Sequence, residues 1–309
     1  MKPKYIWMDG DLVPYEQATV HFLTPTLHYG TGVFEGIRCY QTSKGPAVFR
    51  LNEHLKRFLD SAQIAGISEL PFNRKQLVHA VHQVIRANQF TECYIRPLIY
   101  MTGPLGLNLD EWQPAMGIAA WEWDPFLGKE SLDRGVRVMV SSFTRHHPNV
   151  MMTKAKIVGN YANSTLAKTI AKRAGFDETI MLDPQGFVAE CSGENLFLVR
   201  DGIVYAPPRA TVLEGITRDA VMTLAGDQGY QIVEEPISRD QLYIADEVFL
   251  CGTAAEVVPV REIDFRVIGS GRKGPVTHAI QAAFIQAVSG DGQRSNEWLD
   301  FVDETVYAV

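Results

Sequence analysis

One lysine is placed where an amine could take part in chemistry. Lys156 lies between small and apolar residues in the stretch 155–161, AKIVGNY, just before a predicted helix. This stretch alone is equally typical of a surface lysine at the end of a strand. In a drier site the same amine would have a lowered pKa, which favours its attack on a carbonyl carbon. Lys154, two residues earlier, is a competing amine.

Three later segments supply groups that would complement such an amine. Glu190 ends an apolar strand, where a carboxylate is costly to bury without a charged partner. The segment 213–219 places the hydroxyl of Thr217 and unpaired backbone N–H groups at a predicted helix start, which suits a phosphate. The segment 252–256 predicts a turn with further exposed N–H groups. Together these are the parts that a pyridoxal phosphate enzyme requires: an amine, an acid for the pyridine nitrogen and a phosphate site.

The elements that must position these groups mix strands and helices without regular alternation. Two packed α+β domains are therefore predicted rather than one doubly wound sheet. Asn52 and Asn73 are predicted N-caps of two helices, the first over 53–65. The polar, turn-prone segment 124–133 is the predicted linker. It would separate a smaller domain, 1–123, from a larger one, 134–309, that carries the candidate lysine.

The composition indicates which classes of protein are excluded. The chain has 309 residues, of which 46% are hydrophobic and 21% charged, with a net charge of −7. These values are typical of a globular protein and give no sign of the basic stripe of a nucleic-acid binder. No apolar run approaches the ~20 residues of a membrane span, and no signal sequence is recognisable. The four cysteines are scattered, which argues against a disulfide framework, so a cytoplasmic enzyme is predicted.

Two motifs have simpler interpretations than their letters suggest. The run 269–274, GSGRKG, matches a dinucleotide-binding pattern, but only one predicted helix follows it, so a glycine turn before Pro275 is predicted. The histidine pairs at 79 and 82 and at 146 and 147 have no carboxylate or cysteine at ligand spacing. No metal site is expected.

The chain resembles the branched-chain amino acid aminotransferases, which belong to the fold type IV group of pyridoxal phosphate enzymes. The motifs that carry the resemblance span most of the chain and occur in the family's order, at 28–38, 94–98, 155–161, 190–197, 213–219, 252–256 and 274–277. The resemblance implies a two-domain α+β fold like that of D-amino acid aminotransferase. It also implies a homodimer or an assembly of dimers, between which the sequence does not decide.

The resemblance implies a role toward pyridoxal 5′-phosphate for each matching residue. Lys156 would form the Schiff base and move the proton between the substrate Cα and the cofactor, and its spacing to 159–161 selects it over Lys154. Glu190 would pair with the pyridine nitrogen, and Tyr161 would hydrogen-bond the phenolic oxygen. The phosphate or the ring face would be held by Arg57, Leu213, Ile216, Thr217 and Thr253.

Further matching residues would bind the substrates. The implied reaction transfers the amino group of L-leucine, L-isoleucine or L-valine to 2-oxoglutarate by a ping-pong mechanism. The apolar side chain would meet Tyr29, Phe34, Trp123 and Phe126. The substrate carboxylate would meet Tyr94 and the backbone N–H groups of Thr253, Ala254 and Ala255. Arg96 would bind the distal carboxylate of glutamate.

Some positions depart from the family pattern. Ile157 and Val158 replace a common Ala-Gly pair, and Cys191 stands where glycine is common. Phe126 stands where a tyrosine that helps to bind the glutamate carboxylate is expected. The substrate profile therefore stays open to D-amino acid or (R)-amine transamination, or to aminodeoxychorismate lyase chemistry, on the same scaffold. A non-catalytic binding protein that keeps the pocket is the alternative from a different class.

Overall fold

Two sheets organise the chain in the computed structural model, which describes residues 2–123, 127–128 and 130–302. The described residues divide into two units. The first contains 2–123, 155–159 and 286–302, and the second contains 127–128, 130–154 and 160–285. Each unit combines helices with its own sheet, so the α+β prediction is confirmed.

The first unit is built on an antiparallel sheet. Its described strands are β1 (Tyr5–Met8), β2 (Asp11–Pro14), β3 (Gly32–Phe34), β4 (Ile37–Thr42), β5 (Gly45–Phe49), β6 (Cys93–Thr102), β7 (Gln113–Trp121) and β17 (Leu299–Phe301). The sheet order is β17-β5-β4-β6-β7-β1-β2, and β3 pairs with β6. Its helices are α1 (Pro25–Tyr29), α2 (Leu51–Ile64), α3 (Arg74–Asn88) and α9 (Ser295–Trp298).

Helices α2 and α3 bury one apolar face each, including Leu55 and Phe58 on α2, because their apolar residues recur at helical spacing. The predicted cap at Asn73 is confirmed, since its side chain accepts from Gln76 N in a capping box. The predicted cap at Asn52 is wrong. Helix α2 begins at Leu51, because Arg50 takes a left-handed conformation with φ of 50° and donates its N–H to the Trp298 carbonyl.

The second unit is built on a mixed sheet. Its described strands are β8 (Val136–Val140), β9 (Glu178–Leu182), β10 (Val188–Cys191), β11 (Asn195–Arg200), β12 (Ile203–Ala206), β13 (Ile232–Glu234), β14 (Glu247–Gly252), β15 (Glu256–Ile263) and β16 (Arg266–Val267). The order is β10-β9-β8-β15-β14-β11-β12-β13, with β16 on β15. Strand β8 runs parallel to β9 and β15, and β12 runs parallel to β13.

Helices α4 (Ser131–Arg134), α5 (Tyr161–Arg173), α6 (Ile216–Asp227) and α7 (Arg239–Tyr243) belong to the second unit. Helix α8 (Pro275–Ser289) contains the boundary between the units at 285 and 286. Buried aliphatic residues of β8, β9, β14 and β15, such as Val138 and Leu250, form the core of this sheet. Gly269 and Gly271 have positive φ and precede Pro275, the first residue of α8, so the predicted glycine turn is confirmed.

The domain boundaries expected from the sequence differ from this division in two segments. The stretch 155–159, which carries Lys156, packs with the first unit because Ile157 forms a β-bridge to Val33. The stretch 286–302 also joins the first unit, because β17 pairs with β5. The linker at 124–133 stays a prediction. Part of that linker, 124–126 and 129, lies outside the described residues.

No helix in the described part of the chain is long and apolar enough to cross a bilayer.

Candidate active site

Lys156 is held by backbone contacts on both sides within the first unit. Its N–H donates to the Ser61 hydroxyl over 3.2 Å, and its carbonyl accepts from Phe34 N over 3.0 Å. The bridge between Ile157 and Val33 extends this pairing by one residue. The Lys156 Nζ lies 4.9 Å from the centroid of the Phe34 ring. The backbone that carries the amine is therefore fixed against β3 and α2.

A close approach of two glycines fixes the other end of the lysine segment. Gly159 N donates to the Gly30 carbonyl over 3.0 Å. Gly30 has a φ of 69°, and a Cβ added to it would lie 2.8 Å from Gly159 Cα. Only glycine fits at position 30, since a larger residue would be strained and would clash. Tyr29, the residue before it, stacks on Trp112 with 5.7 Å between ring centroids.

Lys154, the competing amine, belongs to the second unit and has other partners. Its Nζ donates to the carbonyls of Arg209 and Val212, the latter over 3.2 Å, and forms an ion pair with Glu214 at 3.2 Å. These contacts tie Lys154 to the loop that precedes α6. The structure thus separates the two lysines by environment as well as by unit.

Arg57 on α2 is joined to a fully buried carboxylate. Its Nε and one terminal nitrogen lie 2.6 and 2.9 Å from the two oxygens of Glu35. His54 Nδ1 lies 2.9 Å from the same carboxylate. Burial alone would raise the pKa of Glu35, but the charge of Arg57 and the hydrogen bond from His54 hold it well below its usual range. Burial lowers the pKa of His54, so this histidine is neutral near pH 7.

An aromatic cluster surrounds Arg96 in the first unit. The Arg96 guanidinium lies 4.7 Å from the Phe34 ring centroid and donates to the Tyr94 hydroxyl over 3.0 Å. The Trp123 ring meets the Tyr94 ring edge to face at 4.6 Å. Arg96 Nε is buried without a hydrogen-bond partner among the described residues. The structure therefore brings four predicted substrate residues together, three of them aromatic and arranged near one cation.

Glu190 lies near the end of strand β10 in the second unit. Its buried carboxylate accepts three hydrogen bonds from described residues. Its Oε1 lies 2.5 Å from Arg145 Nε. Its Oε2 accepts from Leu213 N at 3.1 Å and from Asn195 Nδ2 at 3.2 Å. A carboxylate offers about four acceptor positions. Within the described residues three of them are used, which leaves Glu190 able to accept one further hydrogen bond.

The start of helix α6 is locked beside this carboxylate. Gly215 is the N-cap, and a Cβ added there would clash with Asn195 Oδ1. Asn195 Nδ2 also donates to the Leu213 carbonyl over 3.1 Å. Ile216 and Thr217 are buried in the first turn of α6, so the predicted helix start is confirmed. The first N–H groups of this turn have no partner within the helix and suit an anion.

The remaining predicted residues of the second unit lie at two element ends. Thr253, Ala254 and Ala255 form the turn between β14 and β15, where Gly252 pairs with Glu256. A Cβ added to Gly252 would lie 3.4 Å from Glu194 Cγ, so this turn packs on the loop after β10. Tyr161 is the first residue of α5. The last prediction, Phe126, lies outside the described residues.

Three residues of these clusters were missed in the sequence analysis. Arg145 lies beside His146 and His147, which alone drew attention, and nothing local links it to Glu190, 45 positions later. Glu35 lies inside the motif at 28–38 that carries part of the resemblance, but no role for it follows from the sequence alone. His54 precedes Arg57 by three positions on α2. Two polar residues on an otherwise apolar helix face were the signal from which a buried polar cluster could have been predicted.

Comparison with known proteins gives these groups a family context. Residues 32–263 match the model of the family described as amino-transferase class IV. The chain belongs to this family. It is 48% identical over 298 residues to the branched-chain-amino-acid aminotransferase of Pseudomonas aeruginosa, covering 96% of this chain and 97% of the relative. The corresponding Escherichia coli K12 enzyme is 46% identical over 312 residues, 98% of this chain and 99% of the relative.

A solved structure of a branched-chain amino acid aminotransferase also matches closely. The T.th. enzyme, complexed with N-(5′-phosphopyridoxyl)-L-glutamate, superposes with a TM-score of 0.94 at 48% identity. The match covers 98% of this chain and all of that one. The predicted fold type IV architecture is thereby confirmed, as is the resemblance found in the sequence. The matched family segment includes the predicted residues of both units apart from Tyr29.

Proposed function

We propose that this class IV aminotransferase transfers the amino group of L-leucine, L-isoleucine or L-valine to 2-oxoglutarate, with pyridoxal 5′-phosphate as cofactor. The products are the branched 2-oxo acids and L-glutamate, formed in two half-reactions that share the site. The observation that carries the proposal is the presence of both a fixed Lys156 and a buried Glu190 in a chain so similar to branched-chain aminotransferases over nearly its full length.

The residues present fit the cofactor. Glu190 is a buried, arginine-paired carboxylate with one acceptor position left, which suits a protonated pyridine nitrogen. The first turn of α6 and the guanidinium of Arg57 are the donors that a phosphate requires. When bound, the cofactor supplies an electron sink for the pair released when the substrate Cα loses its proton. Tyr161 would hydrogen-bond its phenolic oxygen, Leu213 would pack on its ring, and Thr253 would add a phosphate contact.

Lys156 is the proposed carrier of the proton. Its amine would accept the proton that the Cα of the amino acid loses and would hold it for return. A base is effective only when it is held within reach of the proton, and the contacts of Lys156 with Ser61 and Phe34 hold its backbone in place. Glu190 would pair with the pyridine nitrogen, and Arg145, with its Nε 2.5 Å from the carboxylate, holds Glu190 in place for that contact.

The two substrates differ in their side chains, and the first unit offers a group for each. The rings of Phe34, Tyr94 and Trp123 give a branched aliphatic side chain apolar surface. Arg96 would bind the distal carboxylate of glutamate, for which its unpartnered Nε is available. Tyr29 would add apolar contact. The amides of Ala254 and Ala255, with Tyr94, would bind the α-carboxylate.

Assembly and location are part of the proposal. A homodimer, or an assembly of dimers, is supported by exposed apolar side chains near the start of the chain, including Phe22, Leu27 and Tyr29. Closure of the segment 124–133 over bound substrate is the accompanying proposal for that linker. A cytoplasmic location is supported by four cysteines that are all buried and unpaired.

Half-reactions test the substrate assignment. Holoenzyme is mixed with L-leucine, D-alanine or an (R)-aryl amine, and the cofactor absorbance is followed over time. L-Leucine is expected to convert the cofactor fastest, and added 2-oxoglutarate is expected to restore the starting spectrum. Faster conversion by D-alanine or by the (R)-amine would assign the alternative activity on the same scaffold. No cofactor absorbance after reconstitution would instead indicate a binding protein.

A further inference from the structure

The Glu35 carboxylate accepts four hydrogen bonds from described residues of its own unit. Its Oε1 accepts from Arg57 Nε at 2.6 Å, and its Oε2 accepts from an Arg57 terminal nitrogen at 2.9 Å, from His54 Nδ1 at 2.9 Å and from Gly36 N at 3.0 Å. Glu35 is also fully buried. Its effect on a ligand must therefore pass through the groups that it holds.

Of those groups, His54 does not neutralise the carboxylate. Burial lowers its pKa, and Nε2 has no hydrogen-bond partner in the described part of the chain. The imidazole is therefore neutral and gives its one N–H to Glu35. The Arg57 guanidinium is the cation that balances the Glu35 charge, and the two are joined by two parallel bonds. Such a bidentate pair fixes the plane of the guanidinium as well as its position.

The backbone of the same residues continues to the reactive lysine. Phe34, which precedes Glu35, donates its N–H to the Lys156 carbonyl over 3.0 Å. Glu35 donates its own N–H to the Pro97 carbonyl of β6 over 2.9 Å. One short stretch of chain thus bonds to the lysine segment through its backbone and to Arg57 through a side chain.

We propose that Glu35 is a positioning residue that fixes the Arg57 guanidinium relative to Lys156, so that Arg57 presents its donors to the cofactor phosphate in one direction. The inference rests on the proposed function, because it assigns the phosphate of pyridoxal 5′-phosphate to Arg57. Donors held in place before binding lose less conformational entropy when the anion arrives, so affinity depends on the residue that holds them.

Replacing Glu35 by glutamine keeps the shape and removes this arrangement. The amide has one acceptor oxygen and an NH₂ group that can only donate. Arg57 donates to both carboxylate oxygens, and the amide keeps only one of them, so the guanidinium loses at least one of its two bonds. A lost hydrogen bond to a charged group corresponds to an affinity change of about 10- to 100-fold.

The test compares pyridoxal 5′-phosphate with pyridoxal, which lacks the phosphate. Cofactor is removed from the full-length enzyme and its variants, and the affinity for each aldehyde is measured by absorbance titration. The wild type is expected to prefer the phosphorylated form strongly, and Arg57→Gln to lose most of that preference. Glu35→Gln is expected to weaken pyridoxal 5′-phosphate binding by about 10- to 100-fold while pyridoxal binding changes little.

A matched control separates positioning from general damage. Glu178 is equally buried and is paired with Lys168 at 2.6 Å, but in the second unit. Glu178→Gln is expected to keep the wild-type ratio of the two affinities. Glu35→Asp keeps the charge and withdraws the carboxylate by one methylene, so it is expected to lower the ratio in the same direction as Glu35→Gln.

The possible failures are distinguishable. A wild type that binds no pyridoxal 5′-phosphate would contradict the proposed function itself. A wild-type ratio in folded Glu35→Gln, or in Glu35→Asp should the amide variant not fold, would overturn the positioning role while the proposed function stands. A loss of preference in Glu178→Gln equal to that in Glu35→Gln would also overturn it.

Discussion

Each unit contains a buried glutamate–arginine pair, and the two pairs differ in the exposure of their side chains and in the number of hydrogen bonds that the carboxylate accepts. In the first unit Glu35 is fully buried while the Arg57 side chain is 14% exposed. In the second unit the Glu190 and Arg145 side chains are about equally buried, at 8% and 9% exposure. Glu35 accepts four hydrogen bonds, whereas Glu190 accepts three among the described residues.

The comparison shows that residue type alone does not assign a role. Both pairs join Nε to a carboxylate oxygen at similar distances, 2.6 and 2.5 Å. In the first pair the glutamate is the fully buried partner and the arginine side chain is partly exposed. In the second pair the two side chains are about equally buried, and the glutamate accepts one hydrogen bond fewer than Glu35 does among the described residues. This difference agrees with the cofactor contacts that the family resemblance implies, Arg57 to the phosphate and Glu190 to the ring.

The largest loss of activity is expected from the replacement of Lys156, because neither glutamate–arginine pair can take over its proposed role. Lys156→Ala removes the amine that is proposed to bond to the cofactor and to move the proton, so turnover of L-leucine with 2-oxoglutarate should fall by about 10³-fold or more. Steady-state kinetics measure this loss. Lys154→Ala is the matched control and should keep its activity. The reverse outcome for the two lysines would show that the assignment is wrong.

The next effect tests Glu190 as the member of its pair that meets the cofactor. Glu190→Gln should retain the cofactor but lose about 10²-fold or more in turnover, because an amide stabilises a protonated pyridine nitrogen poorly. Rate and cofactor content are measured on the same preparation. Glu247→Gln is the control, since Glu247 is a buried glutamate of the same unit that accepts the N–H groups of Val276 and Thr277. Near-normal turnover in Glu190→Gln would show that Glu190 does not take part in the active site.

Removing the supporting arginine should have its main effect on stability. Arg145→Gln leaves a buried carboxylate without its cation, which should cost about 3–5 kcal/mol in the free energy of unfolding. The double variant Arg145→Gln with Glu190→Gln should recover part of that loss, because no unpaired charge remains. Urea unfolding of the three proteins measures both values. Equal losses in the single Arg145 variant and the double variant would show that the pair carries no buried charge penalty.

The last effect concerns another buried glutamate, Glu194, in the second unit. Burial, with the nearby charge of Glu178, raises the pKa of Glu194 to about 8 from an ordinary value of 4.5. The folded chain thus binds a proton that the unfolded chain has lost, so this contribution to stability is complete below pH 4.5 and disappears as pH rises to about 8. Glu194→Gln should remove that decline. Thermal unfolding from pH 5 to pH 9 measures it, and parallel curves for wild type and variant would contradict the prediction.

The pH dependence of stability that Glu35 contributes is expected to have the opposite sign to that of Glu194. Its pKa is lowered in the folded chain, so its contribution to stability is present above pH 4.5 and is lost as pH falls below that value. Glu35→Gln should therefore flatten the acid side of the stability curve, whereas Glu194→Gln flattens the neutral to alkaline side. One set of unfolding experiments on the two variants therefore measures the charge contribution of Glu35 in the first unit and that of Glu194 in the second.

Local signals in the sequence predicted the features that depend on neighbouring residues. The cap at Asn73 is set by Gln76, three positions later, and is present in the structure. The helix start predicted near Thr217 lies one residue from the observed first residue of α6, Ile216. The Asn52 cap failed because the helix start is set by Arg50, whose N–H bonds to Trp298 near the end of the chain. A hydrogen bond to so distant a residue cannot be recognised from the sequence around position 50.

The supporting residues could not be predicted for the same reason. Arg145 and Glu190 are 45 positions apart, and Glu35 and Arg57 are 22 apart, so only the folded topology brings each pair together. The placement of Lys156 with the first unit likewise depends on contacts with distant residues, such as the bridge between Ile157 and Val33. The sequence identified the groups proposed to meet the cofactor, because chemistry restricts their type, and missed those that hold them.

The attachment point of the cofactor tests the central claim most directly. Holoenzyme is reduced with borohydride, digested, and mapped by mass spectrometry for the phosphopyridoxyl group. We predict that this group is found on the peptide that contains Lys156, at Lys156 and not at Lys154, and that prior conversion with L-leucine prevents the labelling. A label on Lys154 or on another lysine, or no label in a protein reconstituted with pyridoxal 5′-phosphate, would contradict it.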